Sequence, residues 1–112
     1  LPPPINSEGV GFVVVSPQPG QQIFYNDINV VVSQVKFTVV PPGTEPKQGE
    51  GYFVIMLDSL PPVQLFESDG PGYSYTFMDV PKGDHNLKVE AVSADGRSLD
   101  PPIVRSLIFT TA

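Results

Sequence analysis

A lone histidine, His85, stands between Asp84 and Asn86 in this chain of 112 residues. With a serine and a second carboxylate, such an imidazole is the base of a hydrolytic triad. That chemistry also needs an oxyanion hole and a presented nucleophile, and no Gly-x-Ser-x-Gly turn is present to supply them. His85 opens an alternating run, so the sequence predicts a histidine hydrogen-bonded locally at a turn or strand start. One histidine and no cysteine also leave too few ligands for an ordinary zinc centre.

The carboxylates of Asp58, Glu67, Asp69, Asp79, Asp84, Asp95 and Asp100 fall in expected turns. Calcium gathers oxygen ligands from such loops. Asp69, Asp95 and Asp100 are the first candidate ligands, although no Asp-x-Asp-x-Asp-Gly run accompanies them. Aspartate also favours turns by bonding its own backbone, so the same residues are explained without a metal, and no other cofactor is implied.

Aromatic residues offer a third chemistry. Tyr73, Tyr75, Tyr52 and Phe66, with Tyr25, are candidates for stacking on the apolar faces of sugars. Tryptophan, the strongest such platform, is absent. Tyr73, Tyr75 and Phe77 share one parity, which equally fits a half-buried strand face.

These residues must be positioned by strands. Fourteen prolines and ten glycines punctuate short runs of Val, Ile, Phe, Tyr and Thr, with turn signals every ~8–12 residues. Strands are expected at Val10 to Ser16, Ile28 to Val40, Gly51 to Leu57, Val63 to Phe66, Tyr73 to Met78, His85 to Ser93 and Ile103 to Thr111, with a short extended piece at Gln21 to Phe24 leading to a turn at Tyr25-Asn26-Asp27. Within the second, Ile28, Val30 and Val32 share one parity and Val35, Phe37 and Val39 the other. A phase change needs an extra residue. It predicts a bulge near Ser33-Gln34, or two short strands joined by an irregular turn. Apolar residues on both parities of Gly51 to Leu57 predict a central strand covered on both faces, by the protein itself or by a partner chain. No segment has helical periodicity. The fold class expected is all-β, a seven-stranded antiparallel immunoglobulin-like β-sandwich over residues 10–112. It is preceded by a Pro-rich linker or arm, residues 1–9, whose prolines favour polyproline II.

Composition narrows the partners. The net charge is −6, from twelve acidic and six basic residues, so no basic patch is available to neutralise nucleic-acid phosphates. The apolar runs are too short to insert in a membrane as a helix. A start at Leu1 rather than Met suggests a mature product or an excised module.

Two stretches resemble bacterial-type immunoglobulin-like and fibronectin type III-like modules. Ser16-Pro17-x-x-Gly20-x-x-Ile23 is similar to the opening of many such modules. Pro81-x-Gly83-x-His85-x-Leu87-x-Val89-x-Ala91, followed by Asp95-Gly96, looks like their penultimate strand and turn. The antibody-type cysteine pair and core tryptophan are absent, and Leu87 stands near the place of the tyrosine-corner residue. The resemblance implies a non-catalytic structural or adhesion module of a secreted or cell-surface protein, extracellular, whose partners are other domains of the same polypeptide or neighbouring subunits. Two alternatives follow from the same residues. One is a carbohydrate-binding accessory module of a secreted enzyme, with polysaccharide as partner. The other is a filament or pilus subunit assembled by strand addition at the edges Val63 to Phe66 and Ile103 to Thr111.

Overall fold

Proline has no N–H for an interior ladder and glycine readily takes positive φ, so both cut the chain into short extended pieces. The computed structural model describes residues 3–68 and 72–112, and over these it contains strands and no helix. The strands are β1 (Gly11–Ser16), β2 (Gln22–Ile23), β3 (Ile28–Val35), β4 (Thr38–Val39), β5 (Glu50–Leu57), β6 (Val63–Leu65), β7 (Tyr73–Phe77), β8 (Gly83–Ser93) and β9 (Ser98–Thr111). One sheet has the order β1-β3-β7. The other has the order β2-β9-β8-β5-β4, with β6 also beside β5.

The expectation of seven strands, all antiparallel, is corrected in count and direction. β2 pairs parallel with Thr110 and Thr111 of β9, and β4 pairs parallel with Glu50 and Gly51 of β5. Each is a two-residue piece laid down where the chain leaves the three-stranded sheet and touches the other. Both lie in segments expected to be extended, Gln21 to Phe24 and the second half of Ile28 to Val40, but two residues hold too little alternation to reveal a parallel partner.

The phase change resolves in the second of the two ways expected. β3 ends at Val35 and β4 begins at Thr38, with Lys36 between them at φ 52°. The left-handed residue turns the even-numbered face of Ile28, Val30 and Val32 into the odd-numbered face of Phe37, and all four side chains are buried. A bulge does occur, but in β1, between Val14 and Ser16.

β9 starts earlier than expected and runs through Asp100-Pro101-Pro102. Its register against β8 jumps from Ile103 opposite Ala91 to Ser98 opposite Val92. Residues 99–102 are therefore looped out of the β8 ladder, which is how two prolines are tolerated there. The N-terminal arm supplies the missing partner. Asn6 bridges Asp100 in parallel, Ser7 N donates to Asp100 O at 3.1 Å, and Asp100 N donates to Ile5 O at 2.9 Å.

Between the sheets lies a core in which Phe53 is fully buried. Its ring meets Phe12 at 5.2 Å, Phe37 at 5.5 Å and Tyr73 at 6.2 Å between centroids. These edge and tilted geometries suit the ring quadrupoles. Burying each such side chain contributes about 1.5–3 kcal/mol. The body measures 45 × 25 × 23 Å. The arm meets β9 at Asp100 and the chain leaves it after Thr111, so residues 5–7 and Ala112 lie at opposite ends of that strand.

Candidate functional site

His85 begins the inward face of β8 and is 7% exposed. Its Nδ1 lies 2.6 Å from Asp58 Oδ2, and its Nε2 lies 2.7 Å from the carbonyl oxygen of Pro81. Asp58 sits in the turn after β5 at φ 52°, and its Oδ1 accepts from Asn86 N at 2.8 Å. Burial works against the imidazolium, but the Asp58 and Pro81 hydrogen bonds and the neighbouring carboxylates of Asp58 and Asp84 outweigh it. The His85 pKa is raised above its ordinary value. Thr111 Oγ1 lies 3.4 Å from Nε2 but donates to Pro81 O at 2.6 Å. With both ring nitrogens against acceptors, the geometry clamps the β5–β6 and β7–β8 connections together. A groove of about 410 Å³, lined by Leu60, Met78 and the clamp, opens beside it.

The four aromatic residues singled out from sequence do not form one platform. Tyr52 is buried on the outer face of β5, under the β8–β9 turn, with its ring 6.5 Å from Phe66. Burial first, and Asp95 second, raise its pKa against the lowering hydrogen bond with Gln64. Tyr73 packs on Phe53. Tyr75, 40% exposed, stacks edge-on against Phe77 at 5.0 Å. Tyr75 and Phe66 share a groove of about 280 Å³ between the edges β6 and β7, lined also by Gln64, Glu67 and Ser74.

Of the calcium candidates, Asp69 lies outside the described residues. Asp95 accepts from Ser93 Oγ, from Arg97 N at 3.3 Å and from Arg97 Nε at 3.0 Å. The Ser93 bond, then those from Arg97, hold its pKa below the usual carboxylate range. Asp100 is committed through its backbone to the N-terminal arm. Among the described residues no three His, Cys, Asp or Glu side chains gather as a metal cluster.

Phe24 was not singled out by sequence reasoning, and Tyr25 only among several aromatics. They are 70% and 76% exposed, the highest values among the large apolar side chains described. They follow β2 directly, on the β2–β3 connection. The signal available in sequence was an aromatic pair standing outside any alternation, just before Asn26-Asp27.

No family model and no curated protein matches the chain. Among solved structures it is similar to the endo-beta-1,4-mannanase from Thermotoga petrophila, with a TM-score of 0.61 and 13% identity. It is also similar to an engineered protein, with a TM-score of 0.60 and 11% identity. Each match covers 92% of this chain and 20% of the other. The chain thus spans about a fifth of the length of each, and at these identities the likeness is one of fold.

Proposed function

We propose that the chain is a non-catalytic, immunoglobulin-like structural and interaction module of an extracellular or cell-surface protein. It holds neighbouring domains at a fixed spacing and presents loops at its poles. The observation that carries this reading is the placement of residues 5–7 and Ala112 at opposite ends of β9, the longest strand, in a body 45 Å long. A unit entered at one pole and left at the other is an in-line spacer. The strand order supports the finer fold. Without the two-residue pieces β2 and β4, seven strands remain, ordered β1-β3-β7 and β9-β8-β5-β6, and every pairing among them is antiparallel. Two solved chains carrying a similar unit as about a fifth of their length also fit a modular role.

Small-angle scattering on two copies fused in tandem, Ala112 to Leu1, tests the spacer. The maximum dimension is expected to exceed that of one copy by about 45 Å, the long axis of the body. Side-by-side folding of the copies, with little gain in length, would overturn it.

A second reading, a carbohydrate-binding accessory module, is favoured by Phe24 and Tyr25, the most exposed large apolar side chains among the described residues. The mannanase among the structural neighbours fits that reading.

A further inference from the structure

We propose that Phe24 and Tyr25 form a stacking platform for a neutral polysaccharide at the pole where β9 ends. The inference rests on the carbohydrate-binding reading and assigns its site. Aromatic ring faces carry negative charge density and attract the polarised C–H bonds on the face of a sugar ring. Phe24 and Tyr25 present far more of that surface than Tyr75, at 70% and 76% exposure against 40%. They border a groove of about 280 Å³ that also contains Gln21, Gln22, Asp27 and Asn29.

Three of these polar side chains are already fixed by one atom each. Gln21 Oε1 accepts from Gln18 N at 2.8 Å, Asn29 Oδ1 accepts from Thr76 Oγ1 at 3.1 Å, and Asp27 Oδ1 accepts from Asp79 N at 3.3 Å. The amide N–H groups of Gln21 and Asn29 and the second oxygen of Asp27 are thereby oriented with little entropy left to lose on binding. Donors and acceptors set around an aromatic face are what a ring bearing hydroxyls needs. No Lys or Arg lines the groove, and its one ionisable carboxylate is Asp27. That selects against anionic glycans and nucleotides. A docking protein is the less favoured occupant, since beside Ile23 and Ile28 the groove carries four amide or carboxylate side chains, three of them already held by a hydrogen bond.

The test is affinity electrophoresis of the intact chain through gels containing galactomannan, glucomannan, xylan or hydroxyethylcellulose. At least one is expected to retard it. Phe24→Ala and Tyr25→Ala should each weaken that retention at least about tenfold, with unchanged thermal unfolding, because neither side chain is in the core. Tyr75→Ala should leave retention as it was. Retention that survives both variants but is lost with Tyr75→Ala overturns this platform and leaves the carbohydrate reading standing. No retention by any of the four overturns both. Concentration-dependent self-association by light scattering, abolished by the same two variants, would assign the pair to protein docking and overturn the proposal as well.

Discussion

Asp58 and His85, 27 positions apart in sequence, meet at 2.6 Å across the end of the larger sheet. The carboxylate reaches His85 Nδ1 with one oxygen and Asn86 N with the other. Asp58 thus caps the start of β8 at two consecutive residues. Because His85 Nε2 faces Pro81 O, the ring is fully satisfied only when both nitrogens carry protons.

Stability should therefore depend on pH through His85. Its pKa is raised in the folded state above an unfolded value of about 6.5. The unfolded chain releases its proton first, so the stabilisation is complete below about pH 6.5 and lost as pH rises through the folded pKa. Urea midpoints measured from pH 5.5 to 9 should fall over that window, and His85→Gln should flatten the fall. A wild-type profile that rises with pH would show that the imidazolium is not the favoured form.

Substitutions at Asp58 should separate its charge from its turn. Asp58→Ala leaves His85 and Asn86 N without their acceptor and places alanine at φ 52°. A loss of about 1–3 kcal/mol is expected from the unsatisfied groups, with further strain from the left-handed backbone. Asp58→Asn tolerates that conformation and keeps an acceptor, so it should lose less while weakening the pH dependence. Equal losses in the two variants, read from urea unfolding, would mean that the carboxylate charge, which both lack, carries the effect and that neither the turn conformation nor a neutral acceptor does.

Two strand glycines should behave in opposite ways. A Cβ at Gly51 would lie 1.8 Å from Val92 O, backbone that cannot swing aside, and 3.0 Å from the Phe37 ring. At Gly11 the nearest atom would be Val35 Cβ at 3.9 Å, an ordinary contact. Gly51→Ala should cost at least about 1–3 kcal/mol, as overpacking does, and Gly11→Ala should be neutral or slightly stabilising. Comparable melting temperatures for the two would contradict the close approach at Gly51.

What could be read from sequence was local. The alternation of Leu87, Val89 and Ala91 gave the buried face of β8, and parity alone located the break between Val32 and Phe37 to within a few residues. What could not be read depends on the partner across space. Tyr52 and Tyr75 look alike in a strand pattern, yet the β8–β9 turn and Phe66 cover one, while the other sits on the open edge of β7. Likewise, an aspartate in a turn after β5 gives no hint that a histidine on β8 will fold against it. The platform candidates were drawn mainly from strands because aromatic alternation is conspicuous there, whereas Phe24 and Tyr25 lie on a connection with no period to mark them.

The Pro-rich arm offers the last test, because it supplies what β8 does not. Residues 99–102 have no partner on β8. Their polar groups are met by Ser7 N and Ile5 O at Asp100, and by Ser7 Oγ, which donates to Pro101 O at 2.7 Å. Arg97 Nη2 adds a bond to Pro3 O at 3.1 Å, and Ile5 packs against the core. Removing residues 1–7 would open this seam to water and uncover the apolar surface beneath Ile5. A loss of about 1–3 kcal/mol is expected, the scale of a few such hydrogen bonds. The Asp100 amide, protected from hydrogen exchange in the intact chain, should then exchange rapidly, while Leu87 and Val89 in the middle of β8 stay protected. An Asp100 amide that remains protected after truncation would show that the looped segment holds its shape without the arm.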